Sequence, residues 1–159
     1  MYISRFIIYL ACLYVSLPSG LLNAMPIAGW QETITIYLPS QTIQLAAKLD
    51  TGADTSSLHA EDIRLENDHN QQTWVHFRLA QQSYRLPLVR FAHIKRHQAS
   101  AQRRPVVSIV WCLHQQRIES EFTLVNRQDF STPALLGRAA LAQRFLVDSA
   151  TSHQLSLCN

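Results

Sequence analysis

The fold is decided by the stretch Lys48-Leu49-Asp50-Thr51-Gly52-Ala53-Asp54-Thr55-Ser56-Ser57-Leu58. It continues an apolar alternation at positions 43, 45, 47 and 49, which has the period of a strand with one buried face. With the strand ending at Leu49, Asp50 stands at its tip, and Gly52 lets the backbone turn tightly against another chain or a ligand. The loop also carries hydroxyl groups that are expected to hold the carboxylate in one orientation, on Thr51, Thr55, Ser56 and Ser57.

The run from Leu49 to Asp54 resembles the active-site loop of retropepsin-type aspartic proteases. The longer run 48–60 is similar to a bacterial branch of that group, often labelled "ATP-dependent zinc protease", whose fold is retropepsin-like. The resemblance implies that Asp50 is the catalytic acid and that Gly52 admits substrate backbone. It also implies that Thr51 links two such loops and that Ala53 and Asp54 support the loop. The alternative for Asp50 is an ordinary turn carboxylate.

A second motif near the C-terminus strengthens the resemblance. It is Ala134-Leu135-Leu136-Gly137-Arg138-Ala139-Ala140-Leu141, in which two apolar residues precede Gly and Arg. In retropepsins such a strand packs beside the catalytic loop, and its Arg commonly pairs with the acid four residues after the catalytic Asp. The resemblance therefore predicts that Gly137 lies beside the loop and that Arg138 pairs with Asp54.

Composition and charge indicate a globular chain. The 159 residues are 47% hydrophobic and 16% charged, with a formal net charge of +3. One domain over residues 25–159 is expected from this length. The positive charge is too small and too scattered to predict nucleic-acid binding.

Residues 1–24 have the pattern of a secretory signal peptide. Arg5 precedes an apolar run of roughly ten residues, and Pro18, Gly20 and small or apolar residues lead up to Ala24, the preferred last residue of the signal. We therefore expect an exported protein, in the periplasm, with a secreted or membrane-anchored form as alternatives. The run 6–22 is marginal for an uncleaved anchor, since a span needs about 20 residues, and only that alternative implies membrane contact.

Removal of the signal peptide would leave Cys112 and Cys158. Two cysteines in an exported chain can form a disulfide. Cys112, however, lies in the apolar run 106–113, where a buried free thiol is an equal alternative, and Cys158 lies next to the chain end.

The pattern of short strands predicts an all-β, retropepsin-like closed barrel with one short C-terminal helix. Strands are expected at 32–38, 42–49, 73–79, 84–88, 106–114, 117–125, 145–148 and 153–157, and a helix of about two turns at 138–144. Residues 61–72 and 98–104 are expected to be irregular. Residues 91–97 are a candidate extension of the hairpin 73–88, which is itself the candidate flap, although its tip at 80–83 lacks the Gly that retropepsin flaps usually carry.

The single Asp-Thr-Gly sets the predicted chemistry. Aspartic proteolysis uses two carboxylates that share a proton, one as base on water and the other as acid. One copy per chain therefore implies a homodimer with Asp50 and its symmetry mate facing across a twofold axis, acting on a peptide or protein substrate. Asp148, in Asp148-Ser149-Ala150, is the intramolecular alternative, although a strand-end or turn role is favoured because Gly is missing.

Other chemistries have weaker support in the sequence. The histidines show no convincing zinc-ligand spacing, no Gly-rich phosphate loop is present, and no serine or cysteine lies in a nucleophile elbow. We therefore expect neither metal nor cofactor. The favoured hypothesis is an exported, dimeric aspartic endopeptidase; the alternative is a non-catalytic retropepsin-fold module that binds peptides or partners in the cell envelope.

Overall fold

The computed structural model describes residues 24–96 and 99–158. Residues 1–23, which contain nearly all of the predicted signal peptide or anchor, lie outside this part. Within it, no helix has the length and apolarity to cross a membrane.

Twelve strands and one short helix make up the described part of the chain. In order they are β1 (Ile27–Gly29), β2 (Gln31–Leu38), β3 (Gln41–Leu49), β4 (Ser56–His59), β5 (Glu61–Asn67), β6 (Thr73–Leu79), β7 (Gln82–Pro87), β8 (Arg90–Arg96), β9 (Ala99–Leu113), β10 (Gln116–Val125), β11 (Ala134–Leu136), α1 (Arg138–Leu141) and β12 (Leu146–Asp148). Six of the strands pair in the order β10-β4-β11-β3-β2-β9, and β9 pairs with β10 to close a barrel. The predicted all-β closed barrel with one late helix is confirmed.

The barrel interior is built from alternate residues of each strand. Ala47, Ala134 and Leu58 lie side by side on β3, β11 and β4, and all three are fully buried. The next row along, Lys48, Leu135 and Ser57, therefore points to the opposite, outer face. This alternation fixes which side chains stand on the same face as Asp50.

A separate three-stranded sheet, β5-β6-β7, packs beside the barrel. The predicted hairpin is present as β6 and β7, and its tip residues Ala80 and Gln81 have left-handed φ angles of 48° and 65°. Paired left-handed residues are the backbone of a type I′ turn. One face of the hairpin, including Phe77 and Tyr84, belongs to the hydrophobic core. Within 24–96 and 99–158 no hydrogen bond or ion pair joins the hairpin to the loop at 50–55, so its role as a flap stays a prediction.

The C-terminal segment folds back over the barrel end. β12 pairs with β1, and a disulfide joins Cys158 to Cys112 on β9. The fully buried carboxylate of Glu32 accepts hydrogen bonds from the backbone N–H groups of Gly29, Gln154 and Leu155. The alternative of a free Cys112 thiol is therefore wrong, because the return of the C-terminal segment brings Cys158 to it.

Two segments expected to be irregular are strands. Residues 61–67 form β5, a sheet-edge strand whose side chains are mostly exposed and whose pairing has a bulge near Asp62. Such a strand lacks the buried face that produces alternation. Residues 99–104, expected to be loop, are the first part of the 15-residue strand β9.

The strand at 90–96 also differs from its prediction. It pairs with β9 and not with the β6–β7 hairpin, so the suggested extension of the hairpin is wrong. The prediction for 106–114 holds, because β9 is central, with β2, β8 and β10 as partners.

The C-terminal elements are shorter than expected. The helix spans only Arg138–Leu141, because the chain leaves the helical conformation at Ala142 and Gln143 has a φ of 63°. Residues 153–157, expected to be a strand, have no ladder partner; their backbone is held in part by the Glu32 carboxylate and by a hydrogen bond from the His114 N–H to the Ser156 carbonyl.

Candidate active site

Asp50 lies at the end of β3, as the sequence predicts. Its backbone N–H donates to the Leu136 carbonyl of the neighbouring β11, and its side chain is 27% exposed. Its Oδ1 accepts the Gly52 N–H at 2.9 Å, and its Oδ2 lies 3.5 Å from the Lys48 Nζ. A carboxylate held by a backbone donor and left open on one side can meet a substrate or a second chain.

Arg138 braces the loop that carries Asp50. Its Nη1 donates to the carbonyls of Thr51 and Gly52, each at 3.1 Å, and its Nη2 lies 3.1 Å from the Asp54 Oδ1. Its backbone N–H donates to the Ala53 carbonyl at 2.8 Å. The predicted contact between Arg138 and Asp54 is therefore present, and the two loop carbonyls add partners that the sequence did not indicate. Since Arg138 and Asp54 are both exposed, we attribute the bracing to these combined hydrogen bonds more than to a surface ion pair.

Gly137 lies beside the same loop, as predicted, and its position requires the absence of a side chain. A Cβ at this position would lie 2.8 Å from the Asp54 carbonyl oxygen and from the Thr55 carbonyl carbon. The Gly137 N–H donates to the Ser56 Oγ at 3.1 Å. The backbone at Gly137, directly after β11, thus lies so close to the loop backbone that there is no room for a side chain, and this contact positions the loop.

The expected role of the serine hydroxyls is wrong. Ser56 Oγ is used by the Gly137 N–H, and Ser57 Oγ accepts from the Arg127 Nη1 at 2.7 Å, so neither bonds to Asp50. The hydroxyls face different sides of β4, since their residues are neighbours on one strand. Thr51 and Thr55 likewise make no hydrogen bond to Asp50 in the described part of the chain.

Asp148 has a structural role. Its Oδ1 accepts the Ala150 N–H at 2.9 Å, and its Oδ2 accepts the Thr151 hydroxyl at 3.3 Å. These contacts close a turn after β12, as favoured from the sequence.

Arg127 is a buried cation, held by β4 next to the site, that the sequence did not reveal. It lies in the loop between β10 and β11 and is only 5% exposed, and its Nε and Nη1 donate to the Thr132 carbonyl and to Ser57. The exposed ring of Phe130 lies over the guanidinium, 4.5 Å from its central carbon. Burial lowers the pKa of Arg127, the nearby Arg104 lowers it further, and the negative charge of Asp50 raises it. A polar loop gives no sequence signal for a buried Arg, because its burial depends on β4 lying beneath the loop.

His59 fixes the start of this loop. Its Nδ1 accepts the Arg127 backbone N–H at 3.0 Å, so the imidazole is an acceptor at that atom and carries its proton on Nε2 when neutral. His59 therefore links β4 to the loop that carries Arg127.

Within the described ranges, no three or more His, Cys, Asp or Glu side chains are grouped as metal ligands. The donor set around Asp50 consists of a backbone N–H and a Lys ammonium, and neither of these groups binds a cation. The residues present therefore do not fit the zinc that the label of the bacterial branch implies.

Comparison with known proteins places the site in a family. Residues 27–154 match the model of the RimB-like family, described as the retropepsin-like aspartic endopeptidase RimB. A solved structure of a Legionella pneumophila protein of unknown function superposes with a TM-score of 0.69 at 30% identity, covering 81% of this chain and 97% of that one.

Curated relatives share a smaller part of their length. The probable alpha-L-glutamate ligase of Shewanella pealeana is 34% identical over 116 residues, which is 68% of this chain and 25% of the ligase. That of Shewanella halifaxensis is 33% identical over 123 residues, 72% of this chain and 27% of the ligase. The chain thus spans about a quarter of the length of these relatives.

Proposed function

Because the chain belongs to the RimB-like family of retropepsin-like aspartic endopeptidases, we propose that it hydrolyses peptide bonds at Asp50. The observation that carries the proposal is the state of this carboxylate, which is partly exposed and is held by the Gly52 N–H on a loop braced by Arg138. The carboxylate is positioned by residues 51–54, 137 and 138. The substrate and the attacking water contact the carboxylate itself.

The proposed chemistry needs a second carboxylate, which we assign to Asp50 of a second copy. Two carboxyl groups held close together share one proton, because like charges so near cannot both ionise. The ionised carboxylate takes a proton from water, whose oxygen attacks the carbonyl carbon, while the protonated carboxyl donates to the carbonyl oxygen. As the tetrahedral intermediate breaks down, the carboxyl that took the water proton gives it to the amine nitrogen and the C–N bond breaks. The other carboxylate recovers a proton from a hydroxyl of the intermediate, which leaves a carboxylic acid product and a dyad that again shares one proton. No metal takes part in these steps.

An exposed apolar surface beside the loop supports the proposed homodimer. Ile27 and Leu146 are ladder partners on β1 and β12, and they are 58% and 51% exposed. Leu146 also lines a recess of about 300 Å³ together with Thr51 and Arg138 of the site. Large apolar side chains exposed next to an incomplete site are typical of an interface.

The disulfide supports the proposed export. Cys112 and Cys158 are joined, and structural disulfides persist in oxidising compartments such as the periplasm. The signal-like pattern of residues 1–24 points to the same compartment.

The relatives' names supply a first substrate to test. They are called alpha-L-glutamate ligases, and because the match covers a quarter of their length, we transfer no ligase activity to this chain. We propose instead that peptides containing α-linked glutamate are among its substrates, since a hydrolase domain resembling part of such a ligase would act on the bond that the ligase makes.

The proposal is tested by Asp50→Asn. We expect loss of peptide cleavage by a factor of about 10² to 10⁴, since an amide cannot exchange the proton, with no change in circular dichroism or solution mass. Cleavage is measured by mass spectrometry on a peptide library that includes glutamate-rich peptides. The matched control is Asp129→Asn, an exposed carboxylate that should leave cleavage unchanged.

The alternative is a module that binds peptides without cutting them. If wild-type protein cleaves nothing in the library while peptides bind equally to wild type and Asp50→Asn, the endopeptidase proposal is wrong and the binding module replaces it.

A further inference from the structure

Arg127 is a buried cation with no carboxylate partner. In residues 24–96 and 99–158, no Asp or Glu oxygen lies within 4.0 Å of its guanidinium, although four guanidinium–carboxylate contacts of that kind are formed by other arginines. Its hydrogen-bonding partners, the Thr132 carbonyl and the Ser57 hydroxyl, are both neutral. A buried charge is costly unless it is compensated, so this arrangement calls for an anion from outside the described chain.

The guanidinium has one edge left to bind such an anion. Nε and Nη1 are used, whereas Nη2 makes no hydrogen bond to the described residues and is not among the enclosed polar atoms that lack a partner. It therefore keeps some solvent-accessible surface, while the residue as a whole is 5% exposed. Phe130 covers one face of the guanidinium and Ser57 holds it from the sheet side. Held in this way, the guanidinium loses little freedom when it binds a carboxylate.

This edge lies on the same outer face as the candidate catalytic carboxylate. Ser57, Leu135 and Lys48 are register partners on three adjacent strands, and the Lys48 Nζ contacts Asp50. With strands about 4.8 Å apart, the row spans about 10 Å, which is the length of about three residues of extended peptide. The charge of Asp50 also reaches Arg127, whose pKa it raises.

We propose that Arg127 and Phe130 form a specificity subsite that binds a carboxylate side chain, such as glutamate, one to three residues from the scissile bond. This inference rests on the proposed function, and it adds to it the residue that selects the substrate. Arg127 acts through substrate binding, while the bond is broken at Asp50.

The test compares peptides that differ only by Glu or Gln at one position, with that position moved through three residues on each side of the cleaved bond. We expect wild-type protein to prefer Glu about ten- to a hundredfold in kcat/KM at one position, as a charge-assisted hydrogen bond would give. In Arg127→Met the preference at that position disappears while the Gln peptide is still cleaved. The matched control is Arg117→Met, in which an exposed Arg stacked on Tyr37 is removed and the preference is retained.

Two further measurements separate failure of the subsite from failure of the proposed function. If wild-type protein cleaves peptides without preferring Glu at any position, the subsite is wrong whether or not Arg127→Met folds. If it cleaves nothing, calorimetry is used to compare the affinities of the Glu and Gln peptides for the wild-type protein. Tighter binding of the Glu peptide that is lost in Arg127→Met supports the subsite without the endopeptidase, and equal binding overturns it.

Discussion

At the scale of single residues, buried polar side chains link distant segments of the chain, and Glu32 is the clearest case. Its side chain is fully buried and accepts three backbone N–H groups from both ends of the described chain. A carboxylate offers acceptors only, which matches three donors. Position 32 continues the inward-facing series of Ile34 and Ile36, so the alternation alone predicts an apolar residue there.

Glu32→Gln should destabilise the protein by about 1.5–3 kcal/mol, the range for hydrogen bonds to a charged group. The amide NH₂ would oppose one of the three N–H donors and leave it unpaired. The urea midpoint measures the loss. Glu119→Gln is the control, because this exposed residue accepts from the Ser108 hydroxyl, which an amide oxygen can also do. Unfolding of Glu32→Gln at the wild-type midpoint would show that the three contacts contribute nothing net.

At the scale of elements, the segment after β12 is held by side chains and a disulfide in place of a sheet. The bond between Cys112 and Cys158 closes a loop with a sequence separation of 46. Loop-closure entropy for that length is worth about 4 kcal/mol. We expect reductant to lower the wild-type denaturation midpoint and to leave that of Cys158→Ser unchanged. A wild-type midpoint that does not move, with reduction verified by thiol alkylation, would contradict this.

The sequence predicts elements best where burial is one-sided. β3 and β6 alternate because one face lines the core, and their predicted bounds lie within one residue of the observed ones. β5 is an exposed edge, and residues 102–104 of β9 are polar and exposed or half-buried, so neither segment shows a buried face in the sequence pattern. The predicted helix at 138–144 is longer than the observed helix at 138–141, because composition does not indicate where the backbone must turn to reach β12.

The candidate site likewise contains residues that the sequence predicts and residues that it does not. Asp50, Gly137 and the contact of Arg138 with Asp54 follow from two motifs that the family resemblance pairs with each other, although Arg138 and Asp54 are 84 residues apart. Arg127 and His59 are 68 residues apart and meet only because β4 runs beside β10. Such long-range contacts leave no local pattern, which is why the proposed subsite had to come from the structure.

At the scale of the whole molecule, the central claim is that one chain holds half of an active site. The described part contains one Asp-Thr-Gly loop, open to solvent and next to the exposed pair Ile27 and Leu146. Twofold pairing through this surface, with the axis beside Asp50, would bring the two Asp50 side chains together. Under this proposal, two chains act together to form one active site.

The most direct measurement mixes wild-type protein with Asp50→Asn at constant total concentration and follows peptide cleavage after subunit exchange. Exchange is verified by co-purification of differently tagged copies. If both carboxylates are required, an equal mixture retains about a quarter of wild-type activity, because only dimers of two wild-type chains cleave. Retention of about half, with exchange complete, would mean that each Asp50 works without a partner and would contradict the shared site.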